Sequence, residues 1–301
     1  MRKHATFAIA TLFVWTLGSA VGAVVSGSSD ASAEPSILVT SAHSGSFPRV
    51  GGNRPISILA IGSGARPYQD PARGLADSIH LIEIDPKGRR AVIVGIPRDS
   101  YVSIPGHGTS KINAAMAIGG PPLLIRTIER LGGIRIHYSA LTSFWGLTSM
   151  IDQIGGLTVR VPFPMHDQYS RADFHAGVQR LRGAEVLAFS RDRHSLQNGD
   201  FGRSENGGRV FVAALRQFRL ELREDPSVLL RWISAGMRSL STDLPLRDVL
   251  RLAYLCSRIP PDQVQNVVLP GSAGSAGGLS IVRLGSVRSI FAQASRSAHV
   301  R

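Results

Sequence analysis

Three short runs of β-branched and other apolar residues constrain the fold of this chain most strongly. They cover residues 56–61, 79–84 and 91–96, and Asp85-Pro86-Lys87-Gly88 between the last two is typical of a hairpin turn. We predict that all three runs are central strands of one sheet. Periodicity predicts further strands at 157–161 and 265–269, and helices at 111–117, 121–131, 143–154, 183–189, 204–222, 227–240, 246–257 and 284–295.

Strands and helices therefore alternate along most of the chain. This pattern indicates an α/β domain in layers, with a mixed central sheet flanked by helices. With 301 residues, 43% of them hydrophobic, the chain is long enough for one large domain with appendages.

The N-terminus carries an export signal. Arg2, Lys3 and His4 precede an uncharged, largely apolar stretch from residue 5 to 29. About 20 apolar residues span a bilayer, and preceding positive charges favour a cytoplasmic N-terminus. We expect residues 1–29 to be a cytoplasmic tip with a transmembrane helix that anchors a single-pass protein in the cell membrane. The alternative is a signal sequence cleaved near Ala31-Ser32-Ala33, which would give a secreted protein; both place the following domain outside the cytoplasm.

Residues 30–55 are rich in Ser, Gly and Pro and are predicted to be a linker, so residues 56–301 form the folded domain. The formal charge is +13, which suits nucleic acid, an anionic membrane or a polyanionic wall polymer. Nearly all of this charge is arginine. No long basic run and no basic helix face with interleaved aromatic residues is present, so we expect no nucleic-acid partner. The single cysteine, Cys256, excludes an intramolecular disulfide.

Arginines follow apolar segments at several places, and a guanidinium matches phosphate oxygens in pairs. Arg98-Asp99 comes after the run 91–96, at a strand end where such sheets usually bind ligands. Arg191 and Arg193 are two residues apart, so in an extended segment they could grip one diphosphate. The alternative for each segment is an arginine-rich surface loop.

Two further positions fit an anionic ligand. Asp200 and Arg203 begin a long predicted helix, whose first N–H groups favour an anion, although simple capping by Ser204 is the alternative. Asp77, just before the run 79–84, is a candidate Mg²⁺ ligand, because one carboxylate with phosphate oxygens and waters commonly holds this ion. Gly62-Ser63-Gly64 lacks the further glycine of a dinucleotide loop.

Several short motifs stand in the order of one family. The chain resembles the LytR–CpsA–Psr family of extracytoplasmic wall enzymes from about residue 56 to the C-terminus. The motifs that carry the resemblance are Ile58–Arg66, Ala76-Asp77-Ser78, Ile96-Pro97-Arg98-Asp99, Lys111–Ala115, Gly119-Gly120-Pro121, Ile154–Leu157, Arg191-Asp192-Arg193 and Asp200-Phe201-Gly202-Arg203.

The resemblance implies a phosphotransferase-type glycopolymer transferase. Its partners would be a polyprenyl-pyrophosphate-linked glycan, a wall acceptor such as peptidoglycan, and the membrane. It further implies an apolar slot for the prenyl chain and Mg²⁺ (or Mn²⁺) on the diphosphate, with Asp77 as metal ligand. Arginines would bind the pyrophosphate, and Asp99 would orient Arg98 or assist proton transfer. The expected catalytic residues are Arg98, Asp99, Arg191, Arg193 and Arg203, and the expected substrate-binding residues are Arg66, Arg73, Lys111, Asn113 and Asp200.

The chain departs from the family pattern at three places. Gly64 replaces an aspartate, Leu75 replaces an arginine, and Asn206-Gly207 stands where an Arg-Gln pair is usual. Arg66 or Arg73 is a candidate replacement for the lost positive charge, and Asp70 for the lost carboxylate. The alternative function is therefore a non-catalytic scaffold that binds polyprenyl pyrophosphate in wall assembly.

Overall fold

A computed structural model describes residues 53–66, 68–196 and 198–301. The expected N-terminal anchor or signal sequence, and nearly all of the expected linker, lie outside these residues. Within the described part, no helix is both long and apolar enough to cross a membrane.

The described residues form an α/β domain. Its strands are β1 (Ile56–Ser63), β2 (Ala76–Ile84), β3 (Ala91–Gly95), β4 (Tyr101–Ile104), β5 (Gly108–Lys111), β6 (Tyr138–Ser143), β7 (Leu157–Val161), β8 (Met165–Asp167), β9 (Ala172–Phe174), β10 (Gly177–Leu181), β11 (Ser241–Thr242), β12 (Val264–Val268), β13 (Gly271–Ala276) and β14 (Leu279–Leu284). Its α-helices are α1 (Ala114–Gly132), α2 (Phe144–Gln153), α3 (Gly183–Arg191), α4 (Asp200–Glu224), α5 (Val228–Ser239), α6 (Leu246–Arg258) and α7 (Arg288–Ser297).

A six-stranded mixed sheet is the centre of the domain, in the order β11-β6-β1-β2-β3-β12. Strands β1 and β6 are parallel, as are β3 and β12, whereas β2 is antiparallel to both of its neighbours. The C-terminal ends of β1, β3, β6 and β12 and the start of β2 therefore share one edge. This edge brings together segments that are far apart in the sequence, and it carries the candidate site.

Alternating side chains cover the two faces of the sheet, as the pleat of a strand requires. Leu59 and Leu81 belong to a buried cluster completed by α1 and by Phe291 of α7. Ile58 and Ile84 point to the opposite face and belong to a second cluster that includes Leu252 and Leu255 of α6. The predicted sandwich of helices around a mixed sheet is thus confirmed.

Some element boundaries differ from the prediction. The helix expected over 284–295 begins only at Arg288, because Leu284 still pairs with Gly271 at the end of the β13–β14 hairpin. The helix expected over 111–117 begins at Ala114, since Lys111 pairs with Tyr101. The strand Leu157–Val161 forms as expected, but it pairs with β10 in a separate two-stranded sheet.

Helix α4 lies very close to the central sheet, and its glycines are the reason. A Cβ atom on Gly207 would come 2.5 Å from Cε1 of His80 in β2. At Gly208 a Cβ atom would overlap the side-chain amide of Asn266, which donates a 2.9 Å hydrogen bond to the carbonyl of Glu205. Because glycine has no side chain, Gly207 and Gly208 allow the first turns of α4 to pack directly against β2 and β12.

Glu83 is a buried acid in the central sheet. Its side chain is 0% exposed, and its Oε1 accepts a 2.8 Å hydrogen bond from Ser57 Oγ. Oε2 has no hydrogen-bond partner among the described residues. Burial raises the pKa of Glu83 from 4.5 to about 8, although the bond from Ser57 opposes this shift.

Glu83→Gln is therefore expected to change how stability depends on pH. Between pH 4.5 and about 8 the unfolded carboxyl is ionised while the folded one is protonated, so folding takes up a proton. The stability of the wild type falls as pH rises through this window, and the glutamine variant lacks that slope. We expect the variant to gain about 1–3 kcal/mol over the wild type at high pH and little at low pH. Denaturant unfolding across the window measures this, and parallel curves for the two proteins would contradict it.

Candidate functional site

The first part of the site is an ion pair at the shared edge of the central sheet. Arg98, which follows β3, donates from Nη1 to Oδ1 of Asp77 at the start of β2. Asp77 leans toward the end of β1, where a Cβ atom on Gly64 would overlap its carboxylate. The carboxylate of Asp77 thus occupies the space that a side chain at position 64 would take.

A second set of charges lies beside this pair. Arg203, in the first turn of α4, binds the carboxylate of Asp200, and both side chains are nearly buried. Oδ2 of Asp200 accepts the backbone N–H of Asp99 at 3.1 Å. The carboxylate of Asp99 is held in turn by Lys111 Nζ at 3.0 Å. A connected set of charged groups therefore runs along the edge from β5 to α4, and in it Asp99 pairs with Lys111 and not with Arg98.

The guanidiniums of Arg98 and Arg203 face the same space. Burial lowers the pKa of Arg203, the Asp200 carboxylate opposes this shift, and the charge of Arg98 adds to it. Two guanidinium groups that share a poorly solvated space favour an added anion between them. Nε of Arg98 is also buried without a hydrogen-bond partner among the described residues.

An apolar tunnel begins at these arginines and runs across the face of the sheet. Its first part is a cavity of about 290 Å³ whose mouth is formed by Asp77, Ser78, Arg98 and Arg203. Its second part is a cavity of about 400 Å³ that ends near Leu252 and Cys256. The two parts share seven lining residues, which are Ile58, Ile82, Ala140, Met150, Phe211, Ala214 and Leu240.

Arg191 and Arg193 do not act as a pair. Arg191 ends α3, lines the tunnel mouth and lies 4.6 Å above the ring of Phe144. Arg193 lies in the next loop, where Asp167 Oδ2 accepts its backbone N–H at 3.2 Å, and its side chain lines a different cavity. Because α3 ends at Arg191, the two arginines do not lie in one extended segment. The expected binding of one diphosphate by both side chains depended on such a segment.

The cavity that contains Arg193 is polar and lies on the other side of Asp99 and Asp200. Its volume is about 680 Å³. Asn198, Ser272 and Ser280 contribute to its walls, together with the backbone of the β13–β14 hairpin. The polar cavity therefore adjoins the arginine-lined mouth of the apolar tunnel at Asp200.

The remaining expected residues lie in different surroundings. Asn113 is buried and supports the site through its backbone N–H, which donates to the carbonyl of Arg98 at 3.2 Å. Arg66 and Arg73 are exposed, and neither lines the tunnel mouth. The structure therefore offers no contact by which either one replaces the charge lost at Leu75.

A divalent cation would find one protein ligand here. Oδ2 of Asp77 makes no hydrogen bond among the described residues, while Oδ1 is engaged by Arg98. No group of three or more His, Cys, Asp or Glu residues in the described part could hold a metal ion. Asp70 accepts the N–H of Ala72 at 2.8 Å as the cap of a short 3-10 helix, so it does not supply the missing carboxylate. The residues fit a Mg²⁺ ion that takes most of its ligands from phosphate and water.

His80 is a residue near the site that the sequence did not single out. It is 1% exposed, its Nε2 donates to the carbonyl of Ser204 at 2.9 Å, and its Nδ1 lies 3.1 Å from Oγ of Ser78. Burial lowers the pKa of His80 to about 4, although the Ser204 carbonyl opposes this shift. The neutral ring fills the space left by Gly207, so a glutamine at 207 would displace it. The absence of a side chain at position 207 is therefore what makes room for the His80 ring.

The mixed sheet, the arginine–aspartate edge and the apolar tunnel define an α/β protein with a cationic mouth that opens into an apolar interior. The family model described as the LytR_cpsA_psr family matches residues 21–293, and the chain belongs to this family.

Individual relatives agree with this assignment. The chain is 37% identical over 158 residues to the probable cell wall biosynthesis protein LcpB of Corynebacterium glutamicum, covering 52% of this chain and 37% of LcpB. It is 28% identical over 231 residues to the polyisoprenyl-teichoic acid–peptidoglycan teichoic acid transferase TagV of Bacillus subtilis, covering 73% of this chain and 57% of TagV. The chain thus spans between about a third and three fifths of the length of these curated relatives.

Solved structures share the fold. The crystal structure of B. subtilis TagV superposes with a TM-score of 0.66 at 26% identity, covering 79% of this chain and 93% of that one. A structure of TagT with bound octaprenyl pyrophosphate superposes with a TM-score of 0.59 at 22% identity, covering 82% of this chain and 90% of that one.

Proposed function

We propose that the protein transfers a glycopolymer from a polyprenyl-pyrophosphate carrier to a cell-wall acceptor such as peptidoglycan, outside the cytoplasm. The observation that carries this proposal is the junction of Arg98 and Arg203 with the apolar tunnel. A diphosphate needs cationic hydrogen-bond donors and a prenyl chain needs apolar walls, and both lie here on one continuous path. The solved TagT structure carries octaprenyl pyrophosphate, and TagV is a teichoic acid transferase, which supports the same chemistry in this chain.

In this proposal the residues at the sheet edge position and neutralise the diphosphate. Arg98, Arg191 and Arg203 bind phosphate oxygens at the mouth, and charge-assisted hydrogen bonds of this kind contribute about 1.5–3 kcal/mol each. Phosphoryl transfer depends mainly on such positioning and charge stabilisation. Asp77 is the residue that would hold a Mg²⁺ ion here, and such an ion would supply further neutralisation of the phosphate charge.

The acceptor approaches from the polar cavity. Asp99 borders that cavity and is fixed by Lys111, so its carboxylate can take the proton of an attacking hydroxyl. The hydroxyl oxygen bonds to the phosphorus that carries the glycan, the bond from this phosphorus to the lipid phosphate oxygen breaks, and polyprenyl phosphate leaves. Arg193 and Asn198, on the wall of the same cavity, are placed to hold the acceptor or the glycan.

The second candidate function is a scaffold that binds polyprenyl pyrophosphate without turnover. The favouring observation is Gly64: where the family pattern has a second carboxylate this position has none, Asp77 keeps one oxygen free among the described residues while Arg98 takes the other, and both oxygens of nearby Asp200 are engaged. Such a protein would keep the arginine mouth and the tunnel and would lack the second metal ligand.

One assay separates the two functions. The purified full chain in detergent is incubated with a polyprenyl-pyrophosphate-linked glycan, an acceptor glycan and Mg²⁺, and released polyprenyl phosphate is measured by mass spectrometry. Release that requires the acceptor supports transfer. Binding of the lipid with no release supports the scaffold, and absence of binding rejects both.

The N-terminal residues indicate where in the cell the domain lies. We infer from the charge and length of residues 1–29 that the chain is held in the cell membrane with its domain outside the cytoplasm, or is secreted if the signal is cleaved.

Cys256 is a natural reporter of the tunnel. It lines the far cavity, it is the single cysteine of the chain, and burial raises its pKa to about 11. A neutral thiol reagent should therefore react slowly, and a long polyprenyl pyrophosphate should slow it by about tenfold at about ten times its Kd. The rate is read from the mass of the alkylated full chain.

The control is a neighbouring thiol outside the tunnel. In the variant Cys256→Ala/Ser257→Cys the new thiol belongs to a residue that does not line the far cavity. Its alkylation should not respond to the lipid. Unchanged alkylation of Cys256 while lipid is bound would show that the prenyl chain lies elsewhere.

A further inference from the structure

The surface of α5, β11 and α6 has an unusual composition. Each exposed residue between Val228 and Arg258 is an arginine, a proline or a large apolar or aromatic residue. We call this set the α5–α6 surface; it consists of Leu230, Arg231, Met237, Arg238, Pro245, Leu246, Arg247, Arg251, Tyr254 and Arg258.

We propose that the α5–α6 surface lies on an anionic phospholipid bilayer and that the far cavity, which would hold the end of the prenyl chain, faces the bilayer at this surface. The second part of this proposal rests on the proposed lipid-linked substrate, whereas the first part stands on the surface itself.

The charge that this segment presents to its surroundings is entirely positive. Its acids are engaged within the domain: Asp248 is 5% exposed and pairs with Arg251 at 3.3 Å and with Arg247 at 3.9 Å, and Asp243 accepts the backbone N–H of Ser139 at 2.7 Å. The side chains of Arg247 and Arg251 are 76% and 53% exposed. The nearest exposed acids in the sequence are residues 224 and 225, which precede the first turn of α5, and residue 262, which follows α6. Arginines near an anionic bilayer bind it electrostatically.

The apolar members of the surface have no role in the core. Met237 is 47% exposed, Leu246 is 45% exposed and Tyr254 is 61% exposed, although α6 already buries Leu252 and Leu255 in the core. Apolar side chains interspersed with arginines suit the boundary between lipid headgroups and acyl chains, where tyrosine is also favoured. Lipid therefore accounts for the charged and the apolar members together.

The tunnel lies directly beneath this surface. Helices α5 and α6 both pack on α4 and both line the far cavity, with Trp232 and Gly236 from one and Val249 and Ala253 from the other. Met237 lines this cavity and is nearly half exposed, so the cavity reaches the outside at the α5–α6 surface. The end of a prenyl chain in the far cavity would therefore face acyl chains and not water.

Another basic cluster of the domain lacks these properties. Lys87, Arg89, Arg90 and Arg296 surround a cavity of about 410 Å³, where Asp85 pairs with Arg89 at 2.9 Å and with Arg90 at 3.8 Å, much as Asp248 pairs with Arg251 and Arg247. No large apolar side chain lines that cavity. The cluster around Lys87 and the α5–α6 surface are therefore similar in charge. The exposed apolar side chains are found on the α5–α6 surface and not in the other cluster.

Hydrogen–deuterium exchange of the full chain in lipid nanodiscs tests the proposal. One set of discs contains phosphatidylcholine alone, and the other contains about 30% phosphatidylglycerol. We expect amides in 228–258 to exchange at least about fivefold more slowly in the anionic discs, whereas the β13–β14 hairpin should not change. Arg238→Glu/Arg247→Glu should abolish this protection, and Arg288→Glu/Arg296→Glu, with the same charge change on α7, should retain it.

The outcomes separate this proposal from the proposed function. In detergent, Arg238→Glu/Arg247→Glu should bind polyprenyl pyrophosphate as the wild type does, because neither arginine lines the tunnel. If the wild type binds no polyprenyl pyrophosphate in detergent, the proposed function is rejected. The exchange experiment would still test the membrane surface in that case. Equal exchange of 228–258 in both types of disc, or equal loss of protection in both charge variants, would overturn the membrane surface.

Discussion

Arg203→Ala is expected to weaken binding of polyprenyl pyrophosphate to the full chain by about 10–100-fold. The guanidinium is nearly buried at the mouth of the tunnel, and a charge-assisted hydrogen bond to phosphate contributes about 1.5–3 kcal/mol. Kd is measured in detergent with the lipid alone, so that the acceptor does not enter. Arg203→Lys should recover only part of the affinity, since an ammonium lacks the planar fork.

Loss of folding must be separated from loss of binding in this variant. Removing Arg203 leaves Asp200 buried without its cation, which costs about 3–5 kcal/mol in comparable buried pairs. Asp200→Asn/Arg203→Ala removes both charges and should restore most of the thermal stability but not the affinity. Arg209→Ala is the matched control, because Arg209 lies in the same helix with its own partner, Glu205, and should leave Kd unchanged. Wild-type affinity in the double variant would exclude Arg203 from the binding site.

Ala214→Trp should block the tunnel at the junction of its two cavities. Ala214 projects from α4 into both parts of the tunnel. A large ring there excludes the distal part of a long prenyl chain, and losing the burial of about four CH₂ groups costs about 3 kcal/mol, or about 100-fold in Kd. A short prenyl pyrophosphate, which reaches only the first cavity, should bind as tightly as it does to the wild type. Kd measured against chain length reveals the block.

Two further variants test whether the effect of Ala214→Trp comes from the blocked tunnel. Leu220→Trp adds the same ring to the same helix at a residue that is 53% exposed, and should not affect any lipid. Ala140→Phe narrows the junction from β6 on the opposite wall and should reproduce the loss for long chains. Equal affinity of Ala214→Trp for long and short chains would show that the tunnel does not hold the tail.

The sequence predicted the parts of the fold that depend on local patterns. The apolar runs of β1, β2 and β3 are recognisable by composition, and the long helices by period. Strand β6, with two serines and a threonine among six residues, and the Gly-Ser-Ala strand β13 carry no such signal, and tertiary pairing makes them strands. The end of β14 displaced the expected start of α7 for the same reason.

The candidate site was predictable where motifs end strands or begin helices. Arg98, Asp77 and Arg203 meet because β2, β3 and α4 share one edge, and the order of the motifs indicated this edge. The separation of Arg191 from Arg193 depends on where α3 ends, and boundaries of elements are poorly determined by sequence patterns. The match of Gly207 to His80 is a contact between residues distant in sequence, which spacing cannot reveal.

A crystal structure of the full chain with a long polyprenyl pyrophosphate tests the proposed function most directly. We expect the diphosphate between Arg98 and Arg203, near Asp77, with the prenyl chain running past Ala214 toward Cys256. A diphosphate bound in the polar cavity beside Arg193, with the tunnel empty, would contradict it.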